Sequence, residues 1–102
     1  MENELSELRP FLNERMQLTA LPAKHRKKLA AIWYLAGKIE RGKRYTEPEL
    51  GDLLDTWTTF HDPATLRREL YNKCLLERTQ DGAQYWREAE IPPLAEFVAR
   101  YI

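Results

Sequence analysis

The stretch TEPELGDLLDTWTTFHDPATLRRELYNKCLLERTQDGAQYWR, Thr46 to Arg87, decides the fold. It opens on Thr46-Glu47-Pro48-Glu49, a capping box in which a threonine hydroxyl and a glutamate carboxylate satisfy backbone N–H groups at a helix start. Pro48 falls in the first turn, where its missing N–H does no harm. Leu50, Leu53, Leu54 and Trp57 follow at helical spacing. A second start comes soon after: Asp62 is an N-cap acceptor and Pro63 a first-position proline. This helix is expected to run to about Lys73, with Leu66 and Leu70 inward. Leu75 to Thr79 and Ala83 to Arg87 are β-prone runs around Gln80-Asp81-Gly82, where Asp-Gly predicts a type I′ hairpin turn.

Upstream, Leu29, Ile32, Trp33, Ala36 and Ile39 mark one face of a helix from Ala23 to about Glu40, with Gly42 as its terminator. Lys43 to Tyr45 is short and extended. Leu5, Leu8 and Leu12 suggest a short first helix that Pro10 ends near Arg9, and Met16 to Thr19 alternates like a strand. After the hairpin, Pro92-Pro93 opens a helix with Leu94, Phe97, Val98 and Tyr101 on one stripe. Helix, short strand, helix, tight turn, helix, hairpin is the order of a winged helix-turn-helix. The expected fold is therefore mainly α with a small β-hairpin, a winged helix-turn-helix with extra N- and C-terminal helices. One domain is expected over 1–102: a core at about 21–87, an N-terminal extension at 1–20 and a C-terminal helix at 91–102.

Composition agrees with a globular domain. Of 102 residues, 43% are apolar and 31% charged. No apolar run approaches the roughly 20 residues of a membrane span, and Met1 to Glu7 is acidic and polar, unlike a signal peptide. A single cysteine, Cys74, excludes an intramolecular disulfide and makes a reducing cytoplasm the expected compartment. Net charge is zero, but it is striped. Lys24 to Arg44 holds eight basic residues against Glu40 alone, whereas Tyr45 to Asp62 holds five acids and no lysine or arginine. Such a surface can steer one specific partner, or it can simply be solvated.

Leu21-Pro22, Tyr45-Thr46-Glu47 with Glu49-Leu50, Thr65-Leu66-Arg67-Arg68-Glu69-Leu70, Leu75-Leu76-Glu77-Arg78 and Asp81-Gly82 with Tyr85-Trp86-Arg87 resemble a bacterial domain of unknown function. The resemblance spans about Phe11 to Arg87. It implies a winged-helix-like fold, found alone or fused behind an ArsR-type helix-turn-helix, and it suggests gene regulation without an established activity.

With Leu66 and Leu70 inward, Thr65, Arg68 and Asn72 point outward, and these residue types read base edges or hold phosphates in a major groove. Arg67 lies at the flank and is expected to form a structural ion pair with Asp62 or another acid. Arg78 and Arg87 are candidate wing contacts to phosphate, or partners of Glu77 and Glu88. Tyr85 is expected inward. Lys24-His25-Arg26-Lys27-Lys28 crowds cations at a helix N-terminus, which is unfavourable by roughly 0.3–1 kcal/mol each at low salt. Lys24, Lys27 and Lys28 are therefore candidates for a phosphate or acidic-partner site, unless the acidic N-terminal segment or the acidic helix folds back on them. That helix, with exposed Asp52 and Asp55, would repel phosphates.

No catalytic or metal-binding residues are expected. His25 and His61 lie in no ligand-spaced cluster with Cys74, which falls on the core side of its helix. Phosphate loops and nucleophile elbows are absent from the sequence, so no enzyme, cofactor or small-molecule ligand is indicated. The expected function is a transcriptional regulator module binding double-stranded DNA through residues 62–73 and the hairpin at 75–87. The alternative is a protein-interaction module of the same fold without DNA binding. The terminal stripe Leu94, Phe97, Val98, Tyr101 and Ile102, with Leu5, Leu8 and Leu12, suggests a homodimer.

Overall fold

A computed structural model describes residues 6–101. Leu5 and Ile102, which the sequence places in the terminal stripes, lie outside the described residues. The chain runs through a 3-10 helix (Ser6–Phe11), α1 (His25–Ala36), β1 (Arg44–Tyr45), α2 (Glu47–Thr56), α3 (Pro63–Asn72), β2 (Leu76–Arg78), β3 (Tyr85–Arg87) and α4 (Leu94–Tyr101). This is the mainly helical chain with a small sheet that the sequence led us to expect, compatible with a winged-helix-like fold carrying extra helices at both ends.

The first helix is the least amphipathic of the set, because it lies in the middle. Leu29 to Ile32 and Tyr34 to Ala36 are all buried, so α1 is enclosed on most sides. The 3-10 helix, α3 and α4 pack around it. Trp33, expected inside, is half-buried; its indole N–H donates to the Pro92 carbonyl at 2.8 Å, tethering the segment that leads into α4. α1 also stops earlier than its periodicity suggests. It ends at Ala36 with Gly37 as its cap, and Ile39 reaches the core from the following turn. Gly42 is not the terminator but turns the chain into β1 with φ +83°.

The N-terminal extension belongs to the core. Leu8 and Leu18 are fully buried. Met16 to Thr19 forms no strand of its own; Leu18 alone bridges Leu12 on one side and Thr58 on the other. Its N–H donates to the Trp57 carbonyl at 2.8 Å, and its carbonyl accepts from Thr59 at 2.9 Å. The extension thereby fastens the end of α2.

The capping box forms as the sequence requires. Thr46 Oγ1 accepts from the Glu49 N–H at 3.2 Å, and Glu49 Oε1 accepts from the Thr46 N–H at 2.9 Å. Leu50 and Leu54 then reach the core. Asp62 caps α3 by accepting the Thr65 N–H at 3.3 Å, and Leu66 and Leu70 are fully buried.

The exit from α3 corrects the expected position of Cys74, which is exposed. The helix ends at Asn72, and Cys74 adopts φ +62°. The Leu75 N–H donates back to the Leu70 carbonyl at 3.0 Å and the Cys74 N–H to the Tyr71 carbonyl at 3.1 Å. These two bonds are a Schellman motif, with Leu75 packing inward where a continued helix would have placed Cys74.

The hairpin is part of a three-stranded antiparallel sheet in the order β1-β3-β2: the short extended stretch expected at Lys43 to Tyr45 forms β1 and pairs with the hairpin, a pairing the sequence did not indicate. Arg44 pairs with Trp86 and Tyr45 with Tyr85. Tyr45 and Tyr85 are both buried, the inward placement expected for Tyr85. The turn is also not type I′, which needs positive φ at two adjacent residues. Only Gly82 has it, at +74°. The loop instead spans residues 80–83, closed by the Thr79 N–H donating to the Gln84 carbonyl at 3.0 Å. Thr79 and Asp81 hold it: the threonine hydroxyl donates to Asp81 Oδ1 at 2.7 Å, and both oxygens accept from the Ala83 N–H at 3.0 Å.

The stripe of α4 faces α1 in the same chain. Phe97 and Val98 are buried, and the Tyr101 hydroxyl donates to the Lys73 carbonyl at 2.9 Å. Phe97 and Val98 of the stripe expected to pair two copies are therefore covered from within the chain.

Candidate nucleic-acid interface

Tyr71 follows Arg67 by four residues and Arg68 by three on α3, spacing that places its side chain beside both. The hairpin lies beside them. Together with Ala64, Arg78 and Tyr85 they line a hollow of about 210 Å³ between α3 and the sheet. Three of its lining residues are arginines and none is an acid.

The three arginines are not equivalent. Arg67 pairs with Glu47 at the start of α2, Nη2 to Oε2 at 3.4 Å, and its guanidinium lies 5.8 Å from the centre of the Tyr85 ring. It is the structural ion pair the sequence suggests, with Glu47 as the acid rather than Asp62. Arg78 lays its guanidinium 5.0 Å from the centre of the Tyr71 ring, a contact that orients the group while leaving its charge in place. Arg68 is exposed. Among the described residues, neither Arg68 nor Arg78 forms an ion pair. Gly82 comes close to the same spot: a Cβ there would lie 3.5 Å from Arg78 Nη1 and 3.9 Å from the Tyr85 hydroxyl oxygen.

The other expected site residues divide. Asn72 is exposed on the outer face of α3, whereas Thr65 is half-buried with its N–H held by Asp62. Arg87 turns away from the hollow. Its Nη1 donates to the Ile39 carbonyl and its Nε to the Glu88 carbonyl, both at 3.3 Å, so it fastens the sheet to the turn after α1. Glu77 and Glu88, the alternative partners of the wing arginines, meet each other instead. Their shared hydrogen bond holds the Glu77 carboxyl above the ordinary carboxylate range. The hairpin tip itself is acidic: Asp81 is fully exposed, with its pKa lowered by the Thr79 hydroxyl and the Ala83 N–H.

Two of the four lysines and arginines in the basic stretch before and within α1 are answered by acids of the same chain. Arg26 pairs with Glu7 of the 3-10 helix at 3.1 Å, the N-terminal segment folding back. Lys28 pairs with Glu69 of α3 at 3.1 Å rather than with the acidic helix α2. Glu69 also accepts from Lys73 at 3.1 Å. Burial alone would raise the Glu69 pKa, but the hydrogen bonds and charges of Lys28 and Lys73 outweigh it and hold the carboxyl low. Lys28 is thus a structural cation. Lys24 is exposed, Lys27 is half-buried, and neither pairs with a described residue.

On the far side of Arg67, a groove of about 550 Å³ between α2 and α3 is lined by Glu47, Asp52 and Asp55. Asp52 is exposed as expected, but Asp55 is half-buried, with His61 Nδ1 3.7 Å from its Oδ1. Arg67 therefore marks a boundary between a basic hollow and an acidic groove.

One wall of the hollow, Tyr71, and one feature outside it escape a sequence reading fixed on outward polar residues. Tyr71 was available from its spacing to Arg67 and Arg68. The stack of Arg44 on Trp86, 4.1 Å from guanidinium to ring centre, was not, because it depends on β1 joining the sheet.

Fold and site together define a small winged-helix-like domain with a basic hollow where helix meets wing. The chain belongs to a family of uncharacterized proteins conserved in bacteria, DUF2087, whose profile matches residues 17–87. That match runs from the extension through the last strand of the sheet. No curated protein and no solved structure matches the chain. No helix among the described residues is long and apolar enough to cross a membrane. Among the same residues no three histidine, cysteine or acidic side chains are grouped as a metal site.

Proposed function

We propose that this domain binds double-stranded DNA as a module of transcriptional regulation, with α3 and the hairpin as its contact face. The observation that carries the reading is the hollow with Arg68 and Arg78, charges without a carboxylate partner on two elements that a winged helix presents together to a duplex. Asn72 extends the same face. Arg87, Lys28 and Thr65 contribute to the scaffold instead. The fusion to an ArsR-type regulator that the resemblance implies fits the same role. Binding, not catalysis, is the activity proposed.

The test is a titration of the full chain against random duplex at low salt, read by fluorescence anisotropy. Binding in the range of about 1–100 μM that falls as salt rises is expected, because neutralised phosphates release counterions. Absence of binding at about 100 μM overturns the reading for this chain.

A second reading has its own support in the groove of Glu47, Asp52 and Asp55. That surface suits a basic protein partner, and it repels phosphates a few residues from Arg68. Under this reading the chain binds no duplex, and Asp52→Asn weakens capture of the partner.

A further inference from the structure

We propose that the hollow between α3 and the hairpin is a seat for a single phosphate group, clamped between Arg68 on the helix and Arg78 on the wing. Only the source of the phosphate rests on the DNA reading: it is either a backbone phosphate of a duplex or the phosphate of a small free ester.

Size argues first. About 210 Å³ is less than the roughly 300–1,000 Å³ of pockets that enclose drug-sized ligands. It accommodates a tetrahedral anion with a few waters, each water taking about 30 Å³. Charge argues next. Arg67 is offset by Glu47, so Arg68 and Arg78 supply the uncompensated charge, and no acid lines the cavity. A guanidinium offers five N–H donors in a planar fork that matches phosphate oxygens two at a time. Among the described residues, no hydrogen bond uses a donor of Arg68 or Arg78. Pre-organisation argues last. The Tyr71 ring supports the Arg78 guanidinium, and Gly82, with φ +74°, brings the loop against the same group. A fixed guanidinium loses less freedom on binding than a mobile one. The arrangement also separates roles on α3: Arg68 holds a phosphate, whereas Asn72, outside the hollow, is left to face base edges.

The experiment compares the full chain with Arg68→Ala, Arg78→Gln and a remote control, Arg15→Ala, each confirmed folded by its thermal melt. Two probes are used: inorganic phosphate followed by amide NMR, and AT-rich and GC-rich duplexes titrated across salt. Saturable phosphate-induced shifts at Tyr71, Arg78 and Gly82 in the millimolar range, lost in both hollow variants and kept in Arg15→Ala, are expected. On duplex, each hollow variant should weaken binding by the same factor on both sequences and reduce the salt slope by about 1. Duplex binding with unchanged slopes and no phosphate shifts overturns the seat and leaves the DNA reading standing. Unequal losses on the two duplexes also overturn the seat, since they mean base readout. Phosphate shifts without duplex binding support the seat with a free ester as its source and overturn the DNA reading. Neither signal overturns both.

Discussion

Replacing Cys74 by glycine should stabilise the protein. Cys74 holds φ +62° at the C′ position of the Schellman motif that ends α3. A left-handed backbone costs an L-residue about 1–2 kcal/mol, and glycine escapes that cost. Glycine also adds freedom to the unfolded chain, worth roughly 0.5–1 kcal/mol in the opposite direction. The thiol is exposed, so little packing is lost. The net gain is about 0.5–1 kcal/mol, a rise of roughly 2–8 °C in Tm for a domain near this size. Cys74→Val should do the reverse and lose about 1 kcal/mol or more, because a β-branched side chain is least at ease with positive φ. Thermal melts and urea midpoints of the three proteins, measured under reducing conditions, decide the matter. A glycine variant less stable than the parent, or a valine variant equal to it, would refute the argument that a left-handed residue sets the entry of Leu75 into the core.

Two further outcomes concern the packing around α3. Leu70→Ala should cost roughly 2–5 kcal/mol in urea unfolding, as for other fully buried leucines, and a loss below about 1 kcal/mol would contradict its place in the core beneath α3. The Glu69 carboxyl is held below its ordinary value near 4.5. Its ion pairs therefore stabilise the fold fully above that value, and the contribution disappears as pH falls through the lower native pKa. Urea midpoints followed downward from neutral pH should fall less steeply in Glu69→Gln than in the parent; identical profiles would remove Glu69 as the link between α1 and α3.

Local signals were read well where one residue type answers one backbone need. Thr46 with Glu49, and Asp62 with Pro63, fix two helix starts by chemistry that acts within four residues, and both formed. Leu66 and Leu70 set the phase of α3, which left Arg68 and Asn72 outside as expected. Periodicity failed where a helix is surrounded: α1 buries nearly its whole circumference, so its stripe did not indicate where it would end. It failed again at Cys74, since a helical wheel continues past a terminus that the backbone has already closed. The hairpin turn misled because Asp81 serves as a side-chain acceptor rather than as a positive-φ residue. The hollow was half legible. Its α3 charges lay in the pattern, but the choice among three arginines depended on Glu47, twenty residues before Arg67 in the chain.

The position of β3 between β1 and β2 has a consequence for the order of assembly. Hairpin residues Leu76 to Arg87 meet across a short loop, whereas Arg44 must find Trp86 across most of the intervening domain. Loop-closure entropy grows with that separation, and it is offset only once α2 and α3 have already drawn the ends together. The sheet therefore completes late in folding, after the helices that flank it. Arg68 sits on α3 and Arg78 on the locally closed hairpin, so the two meet only when the hairpin docks on that helix. Any anion held between them binds only the docked hairpin, and by mass action it should disfavour detachment of the wing from α3 before it affects the helices.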